Sequence, residues 1–169
     1  MRFFHISDLH FGKLLYGYDL TEEHRNFIEQ LGDYCDKYNP DAVLIAGDVY
    51  DRSVPSADAM TLLDELLNKL SGRKVFIISG NHDNAKRLSF GKDFLKKHDI
   101  YISTVPQTGE NEKIEKVTYA DEYGNVNIYM LPFLKPALFK NSMPEEAAAG
   151  EDAIIKKLVE NTDIDKNER

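Results

Sequence analysis

Polar side chains follow three separate apolar runs of the chain, in the segments SDLH, AGDVYD and SGNHD. The segments share carboxylate, imidazole and amide groups, carried by Asp8, His10, Asp48, Asp51, Asn81, His82 and Asp83. Turn chemistry accounts for Gly, Asn and Asp after a strand, but it does not account for two histidines in register with carboxylates. Together these residue types are typical of a site for divalent metal ions.

The spacing indicates a pair of metal ions. Asp8 and His10 lie two residues apart on an extended segment, so both can reach one ion. Asp48 has two carboxylate oxygens and can bridge two ions held about 3.5–4 Å apart, while Asn81 offers a neutral carbonyl oxygen to the second ion. Such mixed ligands suit Mn²⁺, Fe²⁺ or Zn²⁺ better than Ca²⁺. Two ions so placed would activate a water molecule against a phosphoester.

The GNHD segment, residues 80–83, allows two interpretations. In the first, His82 is a general acid that protonates the leaving oxygen while a carboxylate holds its ring. In the second, the segment is only a turn, in which Gly80 and Asn81 adopt positive φ and Asp83 caps the next helix. Taken alone, the segment does not decide between them.

The elements around these segments alternate between strands and helices. Short apolar runs predict strands over 2–7, 41–46, 74–79 and 100–104, and helical spacing predicts helices over 21–38 (with Thr21 as N-cap), 56–72 and 85–98. This order predicts an α/β fold with a mainly parallel sheet, whose carboxyl strand ends meet at one edge. A hairpin turning at Gly124 and Asn125, a last helix over 145–161 and polar segments at 105–113 and 162–169 complete the chain.

Composition limits the classes of function. The chain has 169 residues and a net charge of −8, which argues against holding nucleic acid by bulk electrostatics. Residues 73–97 nevertheless hold seven Lys/Arg against two acids, either as a solvated helix face or as a surface that attracts phosphate. The single cysteine, Cys35, suits a small buried apolar role in a reducing cytoplasm. The first residues lack the long apolar region of a signal peptide.

The motifs DLH, GDVYDR and GNHD resemble the first three motifs of the calcineurin-like metallophosphoesterases. The further segments SVPSADA and LPFLKP are similar to the SbcD-type DNA repair nucleases of that superfamily, and the resemblance covers essentially the whole chain. It implies a sandwich of two sheets flanked by helices. It also implies a Mn²⁺-dependent DNA nuclease, with Mg²⁺, Fe²⁺ or Zn²⁺ as alternative ions, that acts with an SbcC-type ATPase subunit.

The resemblance implies a role for each matching residue. Asp8 and His10 would bind the first metal, Asp48 would bridge, Asn81 would bind the second metal and His82 would be catalytic. Asp51 takes the position that orients the histidine in the phosphatase branch, and Arg52 could contact a phosphate. GDVYDR therefore keeps a phosphatase or a cyclic-nucleotide phosphodiesterase as the alternative function, and a non-catalytic interaction module as a third.

The family pattern also implies a lone metal-binding His and a Gly-His-x-His turn, yet after His82 the chain contains only His98. We therefore expect the 169 residues to be the N-terminal part of a nuclease domain. On their own they should bind at most one divalent ion weakly, show little or no nuclease activity, and self-associate at an exposed sheet edge.

Other expectations concern surfaces and the remaining histidines. The resemblance implies a homodimer formed through the second and third helices, with Leu62, Leu66, Phe90 and Phe94 as candidate contacts. His5 is predicted to be a hydrogen-bonded core residue and His24 to face outward from the first helix. The loop aromatics Phe11, Tyr16 and Tyr18 could either pack or contact substrate.

Overall fold

The computed structural model describes residues 1–106 and 112–164. The chain divides into two units, Met1–Thr104 and Val105–Arg169. The polar segments predicted at 105–113 and 162–169 fall in part outside the described residues.

A four-stranded parallel sheet forms the centre of the first unit, in the order β1-β4-β5-β6. Its strands are β1 (Phe3–Ile6), β4 (Ala42–Ala46), β5 (Lys74–Ile78) and β6 (Ile100–Ser103). A short hairpin, β2 (Leu14–Leu15) with β3 (Tyr18–Asp19), follows the first strand. The helices are α1 (Thr21–Tyr38), α2 (Ala57–Lys69), α3 (Ala85–Leu88) and α4 (Lys92–Leu95), followed by a 3-10 turn, Lys96–His98. The predicted α/β fold is confirmed.

The strand register brings the loops of interest together. Ile6 pairs with Ile45, and Ala46 pairs with Ile78, so β1, β4 and β5 end at the same level of the sheet. The three polar segments begin directly after these strand ends. The sheet therefore delivers all three to one edge, as the alternation of strands and helices predicted.

The core lies between the sheet and the first two helices. β4 and β5 are largely buried, and Ile28, Leu31 and Cys35 of α1 pack into the same cluster. Leu62 and Leu66 of α2 are also 0% exposed. Because they are enclosed within the unit, the prediction that they contact a second subunit is wrong.

Two further expectations for this unit are wrong. His5 is exposed, because β1 is paired on one side only among the described strands and alternates between exposed and half-buried residues. The helix predicted over 85–98 is divided between α3 and α4, because Gly91 has φ of +74° and ends the helical path.

Helix starts depend on side chains that lie one or two residues before the helix. The carboxylate of Asp19 accepts hydrogen bonds from the N–H and the hydroxyl of Thr21, so Asp19 rather than Thr21 satisfies the start of α1. Ser56 accepts from the N–H of Ala59 at the start of α2, as predicted. Asn84, and not Asp83, caps α3.

The second unit contains the predicted hairpin, β7 (Glu115–Asp121) with β8 (Gly124–Met130). The hairpin is confirmed, but its turn is Glu122–Tyr123 and Gly124 already pairs with Asp121. A 3-10 turn (Pro136–Phe139), α5 (Pro144–Ala149) and α6 (Glu151–Asn161) follow. The single helix predicted over 145–161 is interrupted, because Gly150 has φ of +112°. A small apolar cluster including Phe139, Ile154 and Leu158 holds this unit together.

No helix among the described residues combines the length and the apolar character needed to cross a membrane.

Candidate metal centre

The loops after β1 and β4 run side by side and are tied by main-chain hydrogen bonds. The N–H groups of Asp8, His10 and Phe11 donate to the carbonyls of Gly47, Asp48 and Val49. This pairing continues the parallel contact of the two strands beyond their ends. It fixes the backbone that carries the candidate ligands before any metal contributes.

Three of the candidate ligands have an unusual backbone conformation. Asp8, His10 and Asp48 have φ of +58°, +46° and +49°. A non-glycine residue in this left-handed region costs about 1–3 kcal/mol and persists only where its surroundings impose it. Strain at three residues of one cluster points to a functional site.

Asp8, His10 and Asp48 form a group whose ligand atoms all lie within 4.8 Å of one another. Nε2 of His10 is 3.7 Å from Oδ1 of Asp8 and 3.9 Å from Oδ2 of Asp48. These separations are too long for hydrogen bonds but suit atoms that share one ion at about 2.0–2.2 Å. The structure therefore brings together the three residues predicted for the first metal.

A second group consists of His10, Asp51 and His82. Nδ1 of His10 is 3.4 Å from Oδ1 of Asp51, and this buried nitrogen has no hydrogen-bond partner among the described residues. The rings of His10 and His82 lie 4.9 Å apart at 88°. His10 thus connects the two groups: its Nε2 faces Asp8 and Asp48, and its Nδ1 faces Asp51.

His82 is positioned by two contacts with the neighbouring loop. Its N–H donates to Oδ1 of Asp48 at 2.9 Å, and its Nδ1 is 2.8 Å from the main-chain carbonyl of Asp51. A carbonyl only accepts, so Nδ1 carries the proton and Nε2 remains available. The hydrogen bond to Asp51 and the nearby carboxylates raise the pKa of His82.

Asp51 was predicted to orient His82 through its carboxylate. In the structure the main-chain carbonyl of Asp51 makes that contact, and the carboxylate faces His10 instead. Arg52 is exposed, with Nε 3.9 Å from Oδ2 of Asp51. Residues 51 and 52 therefore both lie at the site, although the contact that holds the histidine ring differs from the expected one.

Asp83 has a structural role that sequence reasoning missed. Its carboxylate is only 5% exposed and accepts from the N–H groups of Val49, Tyr50 and Gly80. A charged acceptor with several main-chain donors binds strongly. Asp83 thereby joins the loop after β5 to the loop after β4. The acid at the end of GNHD is the only signal for this role in the sequence, and its place before a helix is equally compatible with a cap.

Gly80 is required for a reason other than the predicted one. Neither Gly80 nor Asn81 has positive φ. A Cβ at Gly80 would lie 2.1 Å from Oδ1 of Asp48 and 2.3 Å from its main-chain nitrogen. Gly80 therefore allows the close approach of Asp48. Asn81 is exposed between Gly80 and His82, both of which contact Asp48.

Two other histidines are placed outside these groups. His98 contacts Phe94 in the 3-10 turn, at 4.8 Å between rings. His24 was predicted to face outward, but it is half-buried and packs edge-on against Phe11 at 5.2 Å. Burial lowers the pKa of His24. Phe11 itself is buried beneath the site, whereas Tyr16 and Tyr18 are exposed.

Comparison with known proteins gives a family and a relative. The chain is 30% identical over 172 residues to the SbcD subunit of the SbcCD nuclease of Staphylococcus epidermidis, an alignment that covers 99% of this chain and 44% of that protein. The chain thus spans less than half the length of this relative. The family model for calcineurin-like phosphoesterases matches residues 1–166. With the motif residues assembled at one sheet edge, this match shows that the chain belongs to the calcineurin-like phosphoesterase family.

Proposed function

We propose that this chain provides the first part of a metal-dependent DNA nuclease site that hydrolyses phosphodiesters. The observation that carries the proposal is the group of Asp8, His10 and Asp48, whose ligand atoms all lie within 4.8 Å of one another, with His82 hydrogen-bonded to Asp48. Membership in a phosphoesterase family and similarity to a protein named as part of a nuclease support the choice of substrate.

In this proposal Asp8, His10 and Asp48 hold one divalent ion, and Asp48 with Asn81 offers ligands to a second. A divalent ion at such a site lowers the pKa of a bound water and stabilises charge on phosphoryl oxygens. Mn²⁺ is the ion we propose, because carboxylate and imidazole ligands in one set suit it. Mg²⁺, Fe²⁺ and Zn²⁺ are the alternatives.

His82 is the proposed general acid. The carbonyl of Asp51 holds Nδ1, so Nε2 of the protonated ring can donate to the leaving oxygen. The hydrogen bond to the carbonyl of Asp51 raises the pKa of His82 and so favours the protonated ring that a general acid requires.

The test compares this chain with a form extended to include a lone His motif and a Gly-His-x-His turn. We expect the extended form to degrade linear duplex DNA in Mn²⁺, and this chain to show little activity. His82→Ala in the extended form should reduce the rate about 10²–10⁴-fold, the range of general acid catalysis. His98→Ala is the matched control, since His98 lies outside both ligand groups.

A phosphatase or a cyclic-nucleotide phosphodiesterase is the second candidate, and Arg52 beside Asp51 favours it. It would be supported if the extended form cleaved p-nitrophenyl phosphate or a cyclic nucleotide but left DNA ends intact. Equal activity of wild type and His82→Ala on every substrate would instead indicate a non-catalytic module.

The partners we propose are DNA, an SbcC-type ATPase subunit and a second copy of this chain. Burial rules out Leu62 and Leu66 as contacts, so we propose pairing through the other two candidates, Phe90 and Phe94, which are 86% and 65% exposed. Sedimentation should show a dimer that Phe94→Ala weakens; a monomer at high concentration would contradict pairing.

The buried free thiol of Cys35 supports a cytoplasmic location.

A further inference from the structure

His24 lies next to the candidate metal centre but belongs to neither of the two ligand groups. It is in the first turn of α1, and the start of that helix is fixed by the carboxylate of Asp19. The ring of His24 packs edge-on against Phe11, with 5.2 Å between ring centres and 83° between planes. The ring is therefore held between a helix and the segment that carries the first two candidate ligands.

The ring of His24 carries a polar atom that an apolar ring would not. Its Nδ1 is buried and has no hydrogen-bond partner among the described residues. A buried polar atom without a partner costs free energy, and an apolar group of the same shape would remove that cost. Packing against Phe11 is thus a poor reason for a histidine at this position, which points to the other ring nitrogen.

The other ring nitrogen is hydrogen-bonded to the main chain of Leu9. Burial lowers the pKa of His24, and this hydrogen bond acts in the opposite direction. A hydrogen bond that favours the protonated ring is one in which the ring donates, so Nε2–H donates to the carbonyl of Leu9. The neutral ring makes the same bond with its single N–H.

Leu9 lies between the two residues that would bind the first ion. Asp8 and His10 both have positive φ, so the main chain is strained on each side of Leu9. The N–H groups of Asp8 and His10 donate to the loop after β4, whereas Leu9 takes no part in the main-chain hydrogen bonds that link the described loops. A contact to the carbonyl of Leu9 therefore ties the middle of this strained turn to α1.

The positions of the ligand atoms depend on the path of this turn. Nε2 of His10 is 3.7 Å from Oδ1 of Asp8, a separation that suits two atoms bound to one ion. Both side chains leave the main chain directly beside Leu9. A rotation of the main chain at Leu9 would consequently move both ligand atoms.

We propose that His24 is a positioning residue of the metal centre. The N–H of its ring holds the carbonyl of Leu9, and this contact keeps the ligands on either side of Leu9 in place for one divalent ion. The inference rests on the proposed metal site and adds a residue that neither binds the ion nor touches substrate.

Two substitutions separate the hydrogen bond from the packing. His24→Phe keeps an aromatic ring against Phe11 and removes the N–H, whereas His24→Gln places an amide N–H near the position of Nε2. We expect His24→Phe to weaken Mn²⁺ binding about 10–100-fold, the usual effect of removing a group that orients metal ligands. His24→Gln should restore most of the affinity. A role in packing alone predicts the opposite order, because phenylalanine is the better substitute for a buried ring.

NMR of the 169-residue chain provides two measurements. Without metal, the amide signals of residues 8–11 should shift and their relaxation should show faster motion in His24→Phe, and both should return toward wild type in His24→Gln. Broadening of the same signals during titration with Mn²⁺ gives the affinity, because a paramagnetic ion broadens nearby signals even at low occupancy.

Cys35→Ala is the matched control for the stability of α1. Cys35 is 0% exposed, and it lies about 16 Å along the helix from His24. Its substitution removes buried contacts of the same helix at a distance from the metal centre. The Mn²⁺ affinity and the signals of residues 8–11 should therefore match those of wild type.

Wild-type affinity in His24→Phe would overturn the inference, as would a His24→Gln variant that binds Mn²⁺ as weakly as His24→Phe. An equal loss of affinity in Cys35→Ala would assign the effect to the stability of α1. A wild-type chain that binds no Mn²⁺ would contradict the proposed metal site instead. In that case the metal-free signals still decide the inference, because unchanged signals in His24→Phe would show that the ring does not hold the turn.

Discussion

At the residue scale, the candidate centre depends on the close approach of Gly80 to Asp48, which leaves no room for a Cβ atom at residue 80. Gly80 lies against Asp48, and Asp48 presents one carboxylate oxygen, a candidate ligand, toward His10 and accepts a hydrogen bond from the N–H of His82 with the other. One residue without a side chain thus sets the position of the shared carboxylate. The three-ligand group depends on that position.

Gly80→Ala should therefore displace Asp48 and weaken metal binding. We expect at least a tenfold loss of Mn²⁺ affinity by calorimetric titration, and a loss of about 1–3 kcal/mol in the free energy of unfolding, typical of overpacking. Urea unfolding of the variant and of wild type measures the loss of stability, and the titration measures the loss of metal affinity separately.

Gly32→Ala is the matched control for that substitution. The three atoms nearest to a Cβ at Gly32 in α1 all belong to the flexible side chain of Lys69, which pairs with Glu29 at the surface. Its effect on Mn²⁺ affinity should be negligible. Equal metal affinity in Gly80→Ala and wild type would show that Asp48 does not bind the ion.

At the element scale, α1 packs against the residues that carry the candidate ligands. Its residue His24 packs on Phe11, and the main chain of Phe11 is bound to the loop after β4. Burial lowers the pKa of this histidine, so its neutral form is the one the folded state favours. The contact between helix and loop is therefore sensitive to protonation.

Stability should fall as the pH falls through the unfolded pKa of His24, about 6.5, toward its lower folded value. Below about 6.5 the unfolded chain binds this proton more readily than the folded chain, so acid favours unfolding. Urea unfolding at about pH 7.5 and about pH 5.5 measures the loss, and His24→Gln should reduce the difference between the two values.

His98→Gln is the control, because His98 is exposed on the 3-10 turn. The free energy of unfolding of this variant should change between the two pH values by the same amount as that of wild type. If His24→Gln kept the full difference between the two pH values, another group would be responsible.

At the scale of the whole molecule, the number of ligands limits the number of ions. The chain contains five histidines, and only His10 and His82 belong to the ligand groups found among the described residues. The first ion would have three protein ligands, whereas the second would have Asp48 and Asn81 alone. Fewer ligands give lower affinity and poorer control of geometry.

We accordingly expect calorimetric titration of the 169-residue chain to show one weak Mn²⁺ site. His10→Ala should abolish it, and His98→Ala should not change it. The form extended by the further histidine motifs should bind two ions. Tight binding of two ions by the short chain would contradict this count and would show that a residue other than Asp48 and Asn81, with Asp51 of the second group as the first candidate, binds the second ion.

Much of the arrangement follows from the sequence alone. Short apolar runs alternate with amphipathic segments, and such a pattern is stable only when a parallel sheet is covered by helices. That topology brings the ends of β1, β4 and β5 to one edge, and with them Asp8, His10, Asp48 and His82. The periodicity of each segment and the order of strands and helices along the chain can be read from the sequence, so the sequence is sufficient to predict them.

Contacts between distant residues, in contrast, depend on the packing of the folded chain. Asp83 clamps two loops, Gly80 makes room for Asp48, and the carbonyl of Asp51 holds His82, because the packed loops lie within hydrogen-bonding distance. Similarly, the burial of Leu62 and the exposure of His5 depend on which surfaces the sheet and helices cover. A residue's type restricts the bonds it can make, but only the folded chain determines which neighbour is near enough to make them.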